Sequence, residues 1–202
     1  MTQKKGVLTD RSICVLILVV DDVRNVSETW KGRNTIMNPT TKSPALHHTL
    51  STLFSELVEG AAHDAAWMLN RGDLGLLRSL DRLSAADASR VPTSGGSSIA
   101  AHVDHLRYGL SLFNRWSLDE SPFASADYSA SWRRVIVTDE EWSALREQLR
   151  EETRKWLHVL SQPRDLTEGE LKDVVASIPH LAYHLGAIRQ IDRSIRGPAA
   201  ID

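Results

Sequence analysis

The chain of 202 residues has a single cysteine, Cys14. One thiol excludes an intramolecular disulfide framework and points to a reducing cytoplasm. Long apolar runs are missing too: none approaches the roughly 18 residues of a membrane-spanning helix. Neither sign of charge is in excess, with 24 Lys+Arg against 26 Asp+Glu and a formal net charge of −2. That balance argues against a basic nucleic-acid surface, though it leaves room for a local anion site. The 42% hydrophobic and 25% charged fractions are those of an ordinary globular protein. At about 150 residues per domain, the chain holds one domain and something extra. A chain of this length buries about 70% of its unfolded surface, so it needs neither disulfide nor structural metal to fold. What it has in plenty is eight histidines and six tryptophans.

The first segment, residues 1–38, does not match the rest. Its one apolar feature, Ile13 to Val20, is bracketed by Asp10 and Asp21-Asp22. An uninterrupted β-branched run reads as a buried strand, yet no second strand is present to satisfy its backbone groups. It is a poor signal peptide, because Asp10 interrupts the basic region and no small-x-small site follows. The expectation is an N-terminal extension, poorly ordered or loosely docked and outside the core. Met37 offers an alternative start of translation.

Residues 39–202 read as helical. Leu46, Leu50, Leu53, Leu57 and Ala61 recur every three or four residues, and this first helix is expected to continue through Ala65, Trp67 and Met68 to a break at Arg71-Gly72-Asp73. A shorter helix is expected over Leu74–Leu83, then one turn at Ser84-Ala85-Ala86-Asp87 and a loop holding Pro92 and Gly95-Gly96. Ser97 or Ser98 caps a second long helix to about Trp116. Asp119 to Val137 reads as a long ordered crossover. Thr138-Asp139-Glu140-Glu141 is a capping box that opens the third helix, and the fourth runs from about Glu170 to Ile195 before Gly197-Pro198. The fold class is all-α: a four-helix bundle with a long crossover between its second and third helices.

The strongest chemical signal is His180-Leu181-Ala182-Tyr183-His184. Histidines four apart lie roughly 40° apart around a helix and about one turn apart along it, so both imidazoles can converge on one ion. With His180 at zero, Ile191, Ile188 and Ile195 fall at roughly 20°, 80° and 60° on the wheel, which places the pair on the apolar arc. Pro179 just before it removes a backbone donor and is expected to bend the helix or begin a new segment. Such spacing is often incidental, but a second helix supplies His102-Val103-Asp104-His105. Three neutral imidazoles leave a divalent ion its full charge and an open coordination position, where a water or thiolate can be activated. Periodicity does not choose the third ligand: His102 lies more centrally in the arc of Ile99, Leu106 and Phe113, and His105 nearer its edge.

The stretch His180-Leu-Ala-Tyr-His-Leu-Gly-Ala-Ile-Arg-Gln-Ile191 resembles the last-helix motif of the DinB-like superfamily. The stretch Ser98-Ile-Ala-Ala-His-Val-Asp-His-Leu106 resembles its second-helix motif. The crossover with Trp132 and the helix at Thr138 are also similar, so the resemblance covers roughly Leu46 to Arg196; the N-terminal segment has no counterpart in it. It implies a four-helix bundle holding a divalent metal, often zinc or nickel, on His105, His180 and His184. Some relatives are transferases or isomerases dependent on a low-molecular-weight thiol of the mycothiol or bacillithiol type, so the leading expectation is a metal-dependent enzyme, an S-transferase, isomerase or hydrolase. Many others have no assigned reaction.

The remaining residues have plainer default readings. Gly186 is expected to allow close helix approach. Tyr183 is a candidate proton donor beside a ligand. Asp104 is a candidate carboxylate behind an imidazole, with a solvated surface position as the default. His47, His48, His63 and His158 read as surface or helix-end residues. Trp116, Trp132, Trp142 and Trp156 read as packing residues, and Trp116 or Trp132 as a candidate wall of the site. Arg107, Arg115, Arg133 and Arg134 are candidates for an acidic substrate group, with a solvated face as the default. The partner expected is a small-molecule substrate, not nucleic acid or membrane, and a homodimer is an open option where bundle faces pair. The rival to an enzyme is a non-catalytic bundle that binds a metal or small molecule and works through association or stress. A closed fourth coordination position favours that rival.

Overall fold

The computed structural model describes residues 43–199. The strand reading of Ile13 to Val20, and the 1–38 extension as a whole, lie outside the described residues. Within them the fold is all-helical: α1 Pro44–Glu59, α2 Gly75–Leu80, α3 Ala85–Ala88, α4 Ile99–Trp116, α5 Tyr128–Ser131, α6 Asp139–Ser161 and α7 Glu168–Ile191. Single 3-10 turns lie at Pro122–Ser125 and Arg193–Ile195. Among the described residues no helix is long and apolar enough to cross a membrane.

Local chemistry sets most of the starts. Ser98 accepts the amide of Ala101 and so fixes the first turn of α4. Reciprocal capping boxes open α3 (Ser84 with Asp87), α6 (Thr138 with Glu141) and α7 (Thr167 with Glu170). The last of these moves the start of α7 two residues ahead of the Glu170 read from periodicity. The end of α7 falls short of Ile195, because Asp192 leaves helical geometry and its carboxylate accepts the amide of Ser194 instead. Pro179 starts no new segment: α7 runs through it.

The first helix departs most from expectation. It ends at Glu59 rather than continuing to Met68. Gly60 has φ 104 and ψ 164, a region open to glycine alone. Beyond it the buried Glu56 carboxylate turns back to accept the amides of Trp67, Met68 and Leu69 at 2.7–3.0 Å, so these residues form a loop pinned to α1. A Cβ at Gly60 would stand 2.2 Å from the Asp73 carbonyl oxygen. Gly60→Ala is therefore expected to destabilise the protein by about 3 kcal/mol, the upper end for such backbone strain, read as a lower urea midpoint.

Helix α4 packs on α6 and α7, and α1 packs on the same two, which closes the four long helices in a ring as a bundle requires. Phe54, Leu76, Ile99, Leu145, Leu149, Trp156 and Ile188 are completely enclosed between them. The indole of Trp156 donates to Ser177 Oγ at 3.1 Å and that of Trp142 to the Leu83 carbonyl at 2.8 Å, so neither buried N–H is orphaned. Residues 117–138 make the crossover from α4 to α6. Ser98 Oγ donates to the Val135 carbonyl at 2.6 Å, which draws the crossover across the start of α4.

Candidate metal centre

Two helices and the crossover converge on one cluster. The buried arc of α4 carries both His102 and His105; the facing arc of α7 carries His184, which is 1% exposed, and the half-buried His180. One ring nitrogen each of His105, His180 and His184 lies within 4.8 Å of the other two. His102 is outside that set, and among the described residues no cysteine, carboxylate or fourth histidine joins it.

The hydrogen bonds say which nitrogens remain free. Ser131 Oγ donates to the Tyr128 carbonyl at 2.7 Å, so its hydroxyl proton is committed. The same oxygen lies 2.9 Å from His105 Nδ1 and must accept there. His105 thus carries its proton on Nδ1 and its lone pair on Nε2. His184 Nδ1 faces His102 Nδ1 at 2.8 Å, and its Nε2 faces His180 Nε2 at 2.9 Å. His105 Nε2 and the facing Nε2 atoms of His180 and His184 are therefore the candidate donors to an ion. Bonds of about 2.0–2.1 Å to a tetrahedral zinc-like ion place two imidazole nitrogens roughly 3.3 Å apart, within about half an ångström of the 2.9 Å His180–His184 separation, so the donor set fits a divalent ion.

Burial keeps these rings neutral. It lowers His102 and His105 to about 4, with the neighbouring His180 and His102 adding to the effect on His105. Burial acts most strongly on His184, lowered to about 2, with further depression from His180, His102 and His105. His180 is lowered by burial alone. Neutral imidazole is the form that can give a lone pair to a metal.

Trp132, just after α5, walls the cluster. Its ring stacks on His105 at 4.4 Å and 24°, stands edge-on to His102 at 5.1 Å and lies 5.8 Å from His184. Trp116 is elsewhere, under the guanidinium of Arg164 at 4.7 Å. Tyr183 is exposed, its ring edge-on to His184 at 5.1 Å. Ser131 is the residue that sequence reasoning missed. It sits in a short crossover helix and carries no periodic or motif signal.

Several secondary readings are corrected. Asp104 is neither solvated nor behind an imidazole: it is buried and paired with Arg107 at 2.8 Å and Arg134 at 3.2 Å. Arg115, Arg133 and Arg134 keep the exposed position of their default reading, Arg115 paired with Glu120 and Arg133 with Asp127. His47 is buried, with Nδ1 against the Leu160 carbonyl at 3.2 Å and Nε2 accepting the Arg164 amide at 3.4 Å. His48, His63 and His158 are exposed, as expected. Gly186 is exposed and a Cβ there would meet nothing within 4 Å, so it does not serve close helix approach.

No curated protein and no solved structure matches the chain. The model of one family does, over residues 74–188, more than half of the sequence and a span that takes in α4, the crossover, α6 and all three clustered histidines. The helical ring and the paired motifs on α4 and α7 agree with that match, and the chain belongs to the DinB superfamily.

Proposed function

We propose that this protein is a metal-dependent enzyme that holds a divalent ion, zinc or nickel, on His105, His180 and His184 and acts on a small-molecule substrate. One observation carries the reading: the buried imidazoles of His105 and His184 and the half-buried one of His180, from two helices, bring one nitrogen each within 4.8 Å of the others. A bound divalent ion supplies Lewis acidity there, lowering the pKa of a coordinated water or thiol. The protein's own part is to hold three neutral donors, to keep the His105 proton on Nδ1 through Ser131, and to cover the cluster with the Trp132 ring. Three donors with no fourth among the described residues are the pattern of catalytic rather than closed structural sites.

The reaction class that suits this site is attack by an activated thiol, of the mycothiol or bacillithiol type, on an electrophilic substrate, as in a transferase or isomerase. The thiol requirement agrees with a helical region, residues 39–202, that holds no cysteine. A cytoplasmic setting, where such thiols are kept reduced, and a homodimer belong to the same proposal.

The decisive measurement is elemental analysis of the purified protein beside a His180→Ala, His184→Ala double variant. The expected result is about one metal per chain in the wild type and under a tenth of that in the variant, because one imidazole cannot replace three. A variant that keeps stoichiometric metal would place the ion elsewhere and end this reading. Thiol-transfer assays with electrophilic substrates then test the reaction class.

A further inference from the structure

His102 is buried and lies three residues before His105 on α4, yet offers no nitrogen to the three-histidine cluster. Its Nδ1 instead lies 2.8 Å from Nδ1 of His184. Two imidazole nitrogens at that distance share one proton between a donor and an acceptor. Once the Nε2 lone pair of His184 is given to an ion, its ring proton can only be on Nδ1. The acceptor must then be His102 Nδ1, and the proton of His102 must be on Nε2.

We infer that His102 is a positioning residue: through Nδ1 it accepts the Nδ1–H of His184 and fixes that ring with Nε2 turned to the cluster. The inference rests on the metal reading above. Helix α4 thus divides the work between its two histidines. His105 gives an Nε2 donor steadied by Ser131, and His102 steadies the donor that α7 contributes. His184 is 1% exposed, so without His102 its N–H would face a buried gap, a loss that discourages this ring orientation. The Trp132 and His102 rings meet edge-on with their centroids 5.1 Å apart, so the indole packs beside that imidazole. Partners of this kind behind a ligating histidine govern metal affinity by about 10–100-fold.

The test uses the full chain as wild type, His102→Leu and His102→Asn, with zinc as the probe. Asparagine places Oδ1 as many bonds from the backbone as histidine places Nδ1, so it keeps the acceptor; leucine fills the space without one. Zinc affinity by chelator competition is expected to fall about 10–100-fold in His102→Leu and to return to within a few-fold of wild type in His102→Asn. Thermal melting of the metal-free proteins measures any separate folding effect. Nitrogen-15 spectra of the zinc-loaded wild type are expected to show the proton of His184 on Nδ1 and that of His102 on Nε2, a signature that packing alone does not set. Equal zinc affinity in wild type and His102→Leu overturns the inference, as does an asparagine variant no better than leucine or a His102 proton found on Nδ1. Wild-type protein that takes up no zinc or nickel overturns the metal reading itself, and this inference with it.

Discussion

Asp73→Ala is expected to remove about 3–5 kcal/mol of folding stability, the cost of leaving one charge of a buried pair without its partner. Asp73 is 2% exposed and grips Arg189 with both oxygens, Oδ1 to Nη2 at 2.6 Å and Oδ2 to Nη1 at 3.0 Å. Its Oδ1 also accepts the Gly75 amide at 2.8 Å and so starts α2. The chain beyond α7 passes over the same carboxylate closely enough that a Cβ at Gly197 would overlap Oδ2. One side chain therefore ties together the loop after α1, the start of α2 and the last turn of α7. Truncation orphans a guanidinium whose Nε already lacks a partner. Asp73→Asn keeps an oxygen for the Gly75 amide and is expected to cost less than alanine. Asp73→Asn with Arg189→Met is expected to regain part of the loss, since no unpaired charge stays buried. Urea unfolding at pH 7.5 reads all three; a loss below about 1 kcal/mol for alanine would show that water reaches Arg189 freely. Arg189 is more than one turn beyond His184, so zinc bound per folded chain should not change. That separates a role in the bundle from a role at the metal.

The contrast between local and distant interactions explains what could be read in advance. Ser84 with Asp87, Ser98, and Thr138 with Glu141 cap their helices through partners three residues away, and such pairs are visible in a sequence. So is the spacing of His180 and His184, which geometry turns into a shared face. The end of α1 was not visible, because it depends on Glu56 reaching amides 11 to 13 residues on and on the Asp73 carbonyl crowding Gly60. His47 looked like a helix-end residue because its partners, Leu160 and Arg164, are more than a hundred positions away. At the site the same limit held. Periodicity put both His102 and His105 on the buried arc of one helix, and position on that arc gives neither a distinct task. Only Ser131 on one side and His184 on the other assign them different work, and those contacts come from the crossover and from a helix some 80 residues downstream.

Acid should destabilise the metal-free protein in a window set by these histidines. Burial depresses His102 and His105 to about 4 and His184 further, and lowers His180 as well. In the unfolded chain each returns to an ordinary value of about 6.5. Below that value the unfolded chain binds protons that the folded chain refuses, so the number bound is larger in the unfolded state and stability must fall as pH falls. The contribution is fully present above pH 6.5 and is lost progressively toward pH 4, each ring giving at most about 1.4 kcal/mol per pH unit. The three rings lowered to about 4 or below make this a loss of several kcal/mol between pH 6.5 and 5, and His180 acts in the same direction. The carboxylates do not confuse that interval, because Asp87, Asp127, Asp192, Glu140, Glu168 and Glu170 are all held below their ordinary values by hydrogen bonds and lose their share only at lower pH. Asp173, raised by burial and by Glu170, works in the opposite sense. Metal-loaded protein should fall more steeply, since protons and the ion compete for the same lone pairs. Urea midpoints at pH 7.5, 6.0 and 5.0, with chelator and with zinc, give both slopes. A chelated protein equally stable at pH 7.5 and 5.0 would mean that these imidazoles take up protons in the folded state as readily as in the unfolded one, which the buried, neutral cluster described above does not allow.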